Sequence, residues 1–195
     1  MGRSIGVAAD KKLIQMIRSA KLEDLPYIVS LSKKENLSLG FIPKPAYESC
    51  VTGIKTGKRW SFVCNDKLFV CEENNQLVGF VMFSYGKIAK CNQIAIQQDA
   101  RLFERGKALL SAAISHGNLR GIEDFACGCA DDLPSNVFWK TMGWVQVGSR
   151  KGISHTNTWK ETSKRTVNIY RYQTNSLFVN DFGLILPKEN QTIAI

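Results

Sequence analysis

Residues 67–86, KLFVCEENNQLVGFVMFSYG, narrow the choice of fold further than any other stretch. Two β-rich runs flank the polar turn Glu72–Asn75, the pattern of an antiparallel hairpin. A sheet is therefore the centre of the molecule, and the remaining question is where helices fall around it.

The stretch IAIQQDARLFERGKALLSAAI, Ile94 to Ile114, begins as a strand and ends as a helix. Arg101, Arg105, Gly106 and Lys107 crowd the turn between them. A helix N-terminus presents free N–H groups and a partial positive charge, so one reading of this turn is a phosphate site. The other is a surface turn with solvated charges. Upstream, LIQMIRSAK reads as a first strand and Leu22–Glu35 as a helix. That helix has acids and Pro26 at its front, and Leu25, Ile28, Val29 and Leu31 at helical spacing. NLSLGFIPKP reads as a loop, and AYESCVTGIKTG as a short helix stopped by Gly57. KCNQIAIQ is a strand with Ile94 and Ile96 on one face, Arg105–His116 a helix and EDFACGCA a short buried strand. DDLPSNVFWKTMGW carries acidic caps and Pro134 and ends at Gly143. WVQVGSRK and RTVNIYRYQ form a last strand pair across a polar, basic loop.

The resulting order is β-α-α-β-β-β-α-β-α-β-β. The expected class is α/β (α+β mixed), a mixed sheet with helices on both faces. The chain's 195 residues suit one domain with tails. Residues 1–13 read as a flexible leader, 14–173 as the domain and 174–195 as a tail whose Leu177, Phe178, Leu184 and Leu186 could dock on the body.

Hydrophobic residues are 44% and charged ones 22%, ordinary for a globular protein, and no run approaches the roughly 18 apolar residues of a membrane span. The beginning, MGRSIGVAADKK, has no apolar segment of a secretory signal and fits a myristoylation pattern poorly. Cys50, Cys64, Cys71, Cys91, Cys127 and Cys129 contain no C-x-x-C pair, and His116 and His155 lie far from any cysteine pair, so no metal is expected. Cys127 and Cys129 would point the same way on a strand, as small core residues. These thiols suggest a reducing, cytoplasmic location. The net charge of +9 favours an anionic partner. Within residues 150–171, Arg150, Lys151, Lys160, Lys164, Arg165 and Arg171 face only Glu161, a surplus that also serves simply as a solubilising face.

With these pieces in order, residues 14–173 resemble the GNAT superfamily of acyl-CoA N-acyltransferases. IRSAKLEDLPYI is similar to the family's opening strand and first helix, and QLVGFVMF to its third strand. IAIQQDARLFERGKALL resembles the strand–turn–helix that binds the coenzyme pyrophosphate, and SNVFWKTMGWVQVG the last helix and following strand. The resemblance implies a mostly antiparallel mixed sheet with a splayed strand pair that binds acetyl-CoA as cosubstrate.

The family's phosphate pattern is Gln or Arg, two residues, Gly, one residue, then Gly or Ala. It begins here at Arg101 and ends at Gly106, with Glu104 in place of the middle glycine. The carry-over makes Arg101, Leu102, Phe103, Glu104, Arg105, Gly106 and Lys107 the cradle, provided Glu104 turns outward or is neutralised by its basic neighbours. By the same resemblance the backbone of Ile94, Ala95 and Ile96 meets the pantetheine arm, and one N–H there polarises the thioester carbonyl. Asn136 and Trp139 are placed against the coenzyme from the last helix. Relatives often use a carboxylate base on the strand, where this chain has Lys90, Asn92 and Gln93, and a Tyr acid on the last helix, where Phe138 is followed by Trp139. Trp cannot titrate, so acid and base stay unassigned. Asp99 reads as a helix cap.

The reading these features favour is acetyl transfer from acetyl-CoA to a primary amine in a ternary complex, with the amine entering by NLSLGFIPKP and the last hairpin. The acceptor class stays open among small molecule, protein and RNA. A second reading is a GNAT-fold protein acting on nucleic acid, of phage or toxin type, through Lys160, Lys164 and Arg165. A third is a catalytically degenerate binding module. The apolar tail invites a homodimer, and no membrane partner is expected.

Overall fold

The computed structural model describes residues 15–54, 66–152, 165–174, 177–179 and 185–187. The leader 1–13, Gly57, Cys64, Lys160, Lys164 and Leu184 lie outside the described residues.

A seven-stranded sheet in the order β1-β2-β3-β4-β5-β7-β6 organises the chain. Its strands are β1 (Gln15–Ser19), β2 (Asp66–Glu73), β3 (Gln76–Tyr85), β4 (Ala89–Ile96), β5 (Asp124–Ala130), β6 (Val145–Lys151) and β7 (Thr166–Gln173). Every neighbouring pair is antiparallel except β4 and β5. A parallel pair needs a crossover, and helix α4 (Phe103–Asn118) supplies it. The helices α1 (Leu25–Lys34), α2 (Asn36–Leu39) and α3 (Lys44–Thr52) precede the central hairpin, and α5 (Ser135–Thr141) follows β5. In the tail, β8 (Leu177–Val179) pairs with β9 (Ile185–Pro187) as a separate ribbon.

The hairpin strands are apolar on both faces because both faces are covered. Phe69, Cys71, Val81 and Phe83 pack with Leu109, Leu110 and Ala113 of α4 on one side. Leu68, Val70, Phe80 and Met82 meet Leu25, Ile28 and Leu31 of α1 and Tyr47 of α3 on the other. The hairpin turn is tighter than the expected Glu72–Asn75. Pairing runs to Glu73 and Gln76, which leaves Asn74 and Asn75 at φ 50° and 63°, the left-handed pair of a two-residue type I′ turn.

Three further boundaries differ from expectation. The first helix opens as a 3₁₀ turn at Leu22–Asp24, where Asp24 accepts from the Lys21 amide at 2.7 Å. NLSLGFIPKP is not wholly a loop, since Asn36–Leu39 forms one helical turn. The following helix ends at Gly53 rather than Gly57, because Gly53 adopts the left-handed conformation (φ 70°) and its amide closes on Ser49 O.

Candidate active site

The site begins where β4 and β5 part. Their ladder joins Ala89, Lys90 and Cys91 to Phe125, Ala126 and Cys127, and there it stops. On the β3 side, Met82 faces Gln93 and Phe83 faces Cys91, so Asn92 is the extra residue of a bulge. A bulge bends and twists its strand, which turns the second half of β4 away from β5.

Past the bulge, β4 still pairs with β3 through Gly79, Phe80 and Val81. The Gln97 amide donates to Val78 O at 2.8 Å, on the β3 side. Backbone groups alternate along a strand, so those of Ile96 and Ile94 face the gap. Consistent with this, Arg101 Nε reaches Ile96 O at 3.3 Å from the opposite side.

The gap holds a cavity of about 400 Å³. Cys91, Cys127 and Cys129 line it from the sheet, Phe138 and Trp139 from α5, and Glu35, Ser38 and Leu39 from α1 and α2. Burial pushes the Cys129 thiol up, so it is neutral at ordinary pH, and its Sγ lies 3.3 Å from Ser135 Oγ. The Cys91 and Cys127 thiols are raised by burial as well.

At the open end of the gap stands the N-terminus of α4. Leu102 is its N-cap in extended conformation (φ −121°, ψ 144°) with no side-chain cap; the Arg105 amide closes on Leu102 O at 3.2 Å, which leaves the Phe103 and Glu104 amides pointing outward without a partner among the described residues. Glu104 turns into solvent, 3.7 Å from Lys107. That is the outward orientation a phosphate cradle requires of it. Arg105 behaves otherwise. Its guanidinium is buried, ion-paired with Glu73 and donating to Ala100 O, so it ties the loop to the central hairpin. Gly106 is small for the sake of packing: a Cβ there would lie 3.0 Å and 3.2 Å from Phe138 ring carbons. Phe103 stands edge-on to the same ring at 5.8 Å.

Asn136 lies apart from the cleft lining. Its Nδ2 donates to Ala130 O and Leu133 O, each at 2.7 Å, and to Asp131 O at 3.2 Å. Its Oδ1 accepts from Tyr170 Oη at 2.8 Å and Asn168 Nδ2 at 3.0 Å. The side chain bolts α5 to β5 and β7, and nothing of it is left for a ligand. Trp139 does line the cleft, buried against Phe138 at 5.4 Å and Trp144 at 4.9 Å. Asp99 does not cap α4, since its carboxylate accepts from Gln97 Nε2 at 3.2 Å.

The strand positions where relatives often carry a base are also settled. Lys90 is exposed. Gln93 is buried, accepting from Tyr47 Oη at 2.6 Å and donating to Gly40 O at 3.0 Å, which fixes the chain after α2 against β4.

Two arginines bind α2 across the mouth of the gap. Arg101 pairs with Glu35 at 2.7 Å from the side of the loop that precedes α4. Arg165 grips Asp132 with bonds of 2.7 to 3.2 Å and donates to Leu37 O at 2.6 Å from the far side. Arg165, expected among the cations that meet a polyanion, makes these contacts with 42% of its side chain still exposed.

Reading the residues alone missed Glu35, Cys129 and Ser135 as cleft residues, while Ser38 lies in NLSLGFIPKP, the stretch expected to admit the amine. Cys129 carried a signal, the shared strand face with Cys127. Glu35 carried none, because it ends an ordinary amphipathic helix and reaches the site only through the packing of α1 on the sheet. Among the described residues, no three His, Cys, Asp or Glu side chains gather to hold a metal, and no helix is long and apolar enough to cross a membrane.

No protein-family model matches the chain, and no curated protein matches its sequence. Solved structures do match it. Ribosomal-protein-S18-alanine N-acetyltransferase from Escherichia coli is similar with TM-score 0.60 at 16% identity, over 82% of this chain and 94% of its own. The acetyltransferase of GNAT family from Streptococcus pneumoniae gives 0.62 at 15% identity, over 82% and 99%. IAA acetyltransferase from Bacillus cereus ATCC 14579 gives 0.58 at 15% identity, over 82% and 99%. The fold is that of the GNAT acyl-CoA N-acyltransferases, as the four sequence pieces implied.

Proposed function

We propose that this protein is an N-acetyltransferase that passes an acetyl group from acetyl-CoA to a primary amine by direct attack in a ternary complex. The observation that carries this reading is the gap itself: the free edge of β4 at Ile94 and Ile96 leads to the uncapped N-terminus of α4. The residues present fit the cosubstrate. A narrow cleft with a free strand edge suits an amide-bearing pantetheine arm, and outward amides beside Lys107 suit a diphosphate. When bound, acetyl-CoA supplies an activated acyl thioester. Ile94, Ala95 and Ile96 would hold the arm, and a β4 amide facing the gap would donate to the thioester carbonyl oxygen as negative charge grows there.

Leu102, Phe103, Glu104 and Lys107 would form the phosphate cradle through backbone amides and one ammonium, with Arg101 at its edge. Arg105 and Gly106 hold that loop in shape from behind. The cleft cysteines are neutral and buried, which disfavours an acyl–cysteine intermediate and supports direct attack. The amine would enter beneath α2, between Glu35 and Ser38.

Calorimetric titration with acetyl-CoA tests the reading. Binding in the micromolar range, weakened at least tenfold by Lys107→Glu, which sets a carboxylate at the cradle, is the expected result. No binding at millimolar ligand overturns it.

A further inference from the structure

Among the described residues lining the cleft, Glu35 is the one carboxylate, and it is not free. Its side chain is mostly buried and sits 2.7 Å from the Arg101 guanidinium. Arg101 in turn immediately precedes Leu102, the N-cap of α4, and spends its Nε on Ile96 O. One guanidinium thus stands between the carboxylate of the amine entrance and the helix end where an anion fits.

We infer that Glu35 is the counter-ion for the ammonium group of a cationic primary amine, and that coenzyme binding uncovers it by drawing Arg101 away. This deepens the acetyltransferase reading and rests on it. A diphosphate at the α4 N-terminus places new negative charge beside Arg101, and a guanidinium binds phosphate oxygens in the bidentate manner it offers a carboxylate. Sharing Arg101 with phosphate leaves Glu35, whose side chain is only 15% exposed, as an under-compensated anion, and an unpaired charge that is mostly buried is costly. An incoming ammonium restores the balance. Before the coenzyme binds, Arg101 fills that role and the amine has no purchase. The two ligands are therefore coupled through one ion pair, with coenzyme first. Nothing else on the described lining offers the ammonium a full negative charge, because besides Arg101 the remaining polar side chains there are Ser38, Asn92, Gln93, Ser135, Trp139 and neutral thiols.

The test titrates coenzyme A, and then 1,4-diaminobutane, into wild type, Glu35→Gln, Arg101→Gln and the double variant. Glu35→Gln should bind coenzyme A about threefold tighter or more, since Arg101 no longer has to leave a carboxylate, and this gain should vanish on the Arg101→Gln background. Wild type should bind the diamine at least about fivefold tighter with coenzyme A present than without it, and Glu35→Gln should lose that preference. A merely structural Glu35 would move neither the coupling nor its dependence on Arg101. Should Glu35→Gln melt early, Glu35→Asp, which keeps the charge, must retain the coenzyme-dependent preference for the diamine. The inference is overturned by equal diamine affinity with and without coenzyme A, by no diamine binding to wild type at millimolar concentration, or by diamine binding untouched in Glu35→Gln. Failure of every variant to bind coenzyme A would instead overturn the acetyltransferase reading.

Discussion

Asn136 shows how a side chain changes meaning once its neighbours are known. From the sequence it was an amide on a helix that relatives use to cover a coenzyme. In the fold it satisfies three carbonyls with one nitrogen and two donors with one oxygen. Asn136→Ala should leave Tyr170 Oη and Asn168 Nδ2 without this acceptor, while Ala130 O and Leu133 O keep the Leu133 and Asn136 amides at 3.1 Å. Two half-buried donors left without an acceptor, and two carbonyls reduced to their backbone bonds, put the loss at about 1–2 kcal/mol, to be read from the urea midpoint. Unchanged stability would show that water replaces the amide without cost. Arg105 underwent the same shift, from a candidate phosphate ligand to the buried partner of Glu73. Its sequence neighbours Arg101 and Lys107 stay at the surface, and no local pattern distinguishes the three.

Among elements, β4 decides the site. Its pairing with β3 must be close enough to hold it while its other edge is bare, and Gly79 makes that approach. A Cβ on Gly79 would fall 2.5 Å from Ile96 Cδ1 and 2.6 Å from Ala95 O. The backbone oxygen cannot swing aside, so Gly79→Ala should displace β4 toward the gap. The expected cost is about 1–3 kcal/mol in stability, with acetyl-CoA affinity reduced more than the melting temperature alone explains. A variant with lowered stability and unchanged affinity would mean that the strand edge does not hold the coenzyme. The hairpin, α1, α4 and α5 were legible from periodicity and turn residues, because those signals lie within a few residues of one another. The bulge at Asn92 was not, since it exists only as a register between two strands.

Across the molecule, two buried aspartates give stability opposite dependences on pH. Hydrogen bonds from Arg18 at 2.7 and 3.0 Å hold the Asp24 carboxyl below the usual carboxylate range. Its contribution is therefore complete above the unfolded value of about 3.9 and is lost as pH falls through the lower folded value. Asp66 is displaced the other way by burial, and its Oδ2 has no hydrogen-bond partner among the described residues. Its folded state favours the proton, so its contribution is complete below about 3.9 and is lost as pH rises through the raised value. Asp66→Asn should accordingly stabilise the protein at pH 7 by about 1 kcal/mol, while Asp24→Asn should destabilise it there and flatten the acid limb of a stability–pH curve. Denaturant titrations from pH 3 to 8 check both signs, and a destabilising Asp66→Asn would show that the hydrogen bond from Ser84 outweighs the burial of the charge.

The sequence by itself determined the order of elements, the hairpin at the centre and the basic strand–turn–helix, and through their succession the GNAT fold. Each of these is written in local spacing: two-residue alternation, helical periodicity, or a turn that only Asn or Gly enters cheaply. The tertiary structure alone decided that Ile94 and Ile96 turn bare backbone to a gap, that Glu35 and Cys129 share one cavity, and that the Arg105 and Asn136 side chains serve the scaffold. Those facts depend on which residue stands opposite which across strands and helices far apart in the chain. Burial and pairing, which settle whether a charge is free to meet a ligand, are set by such long-range neighbours and leave no trace in local order.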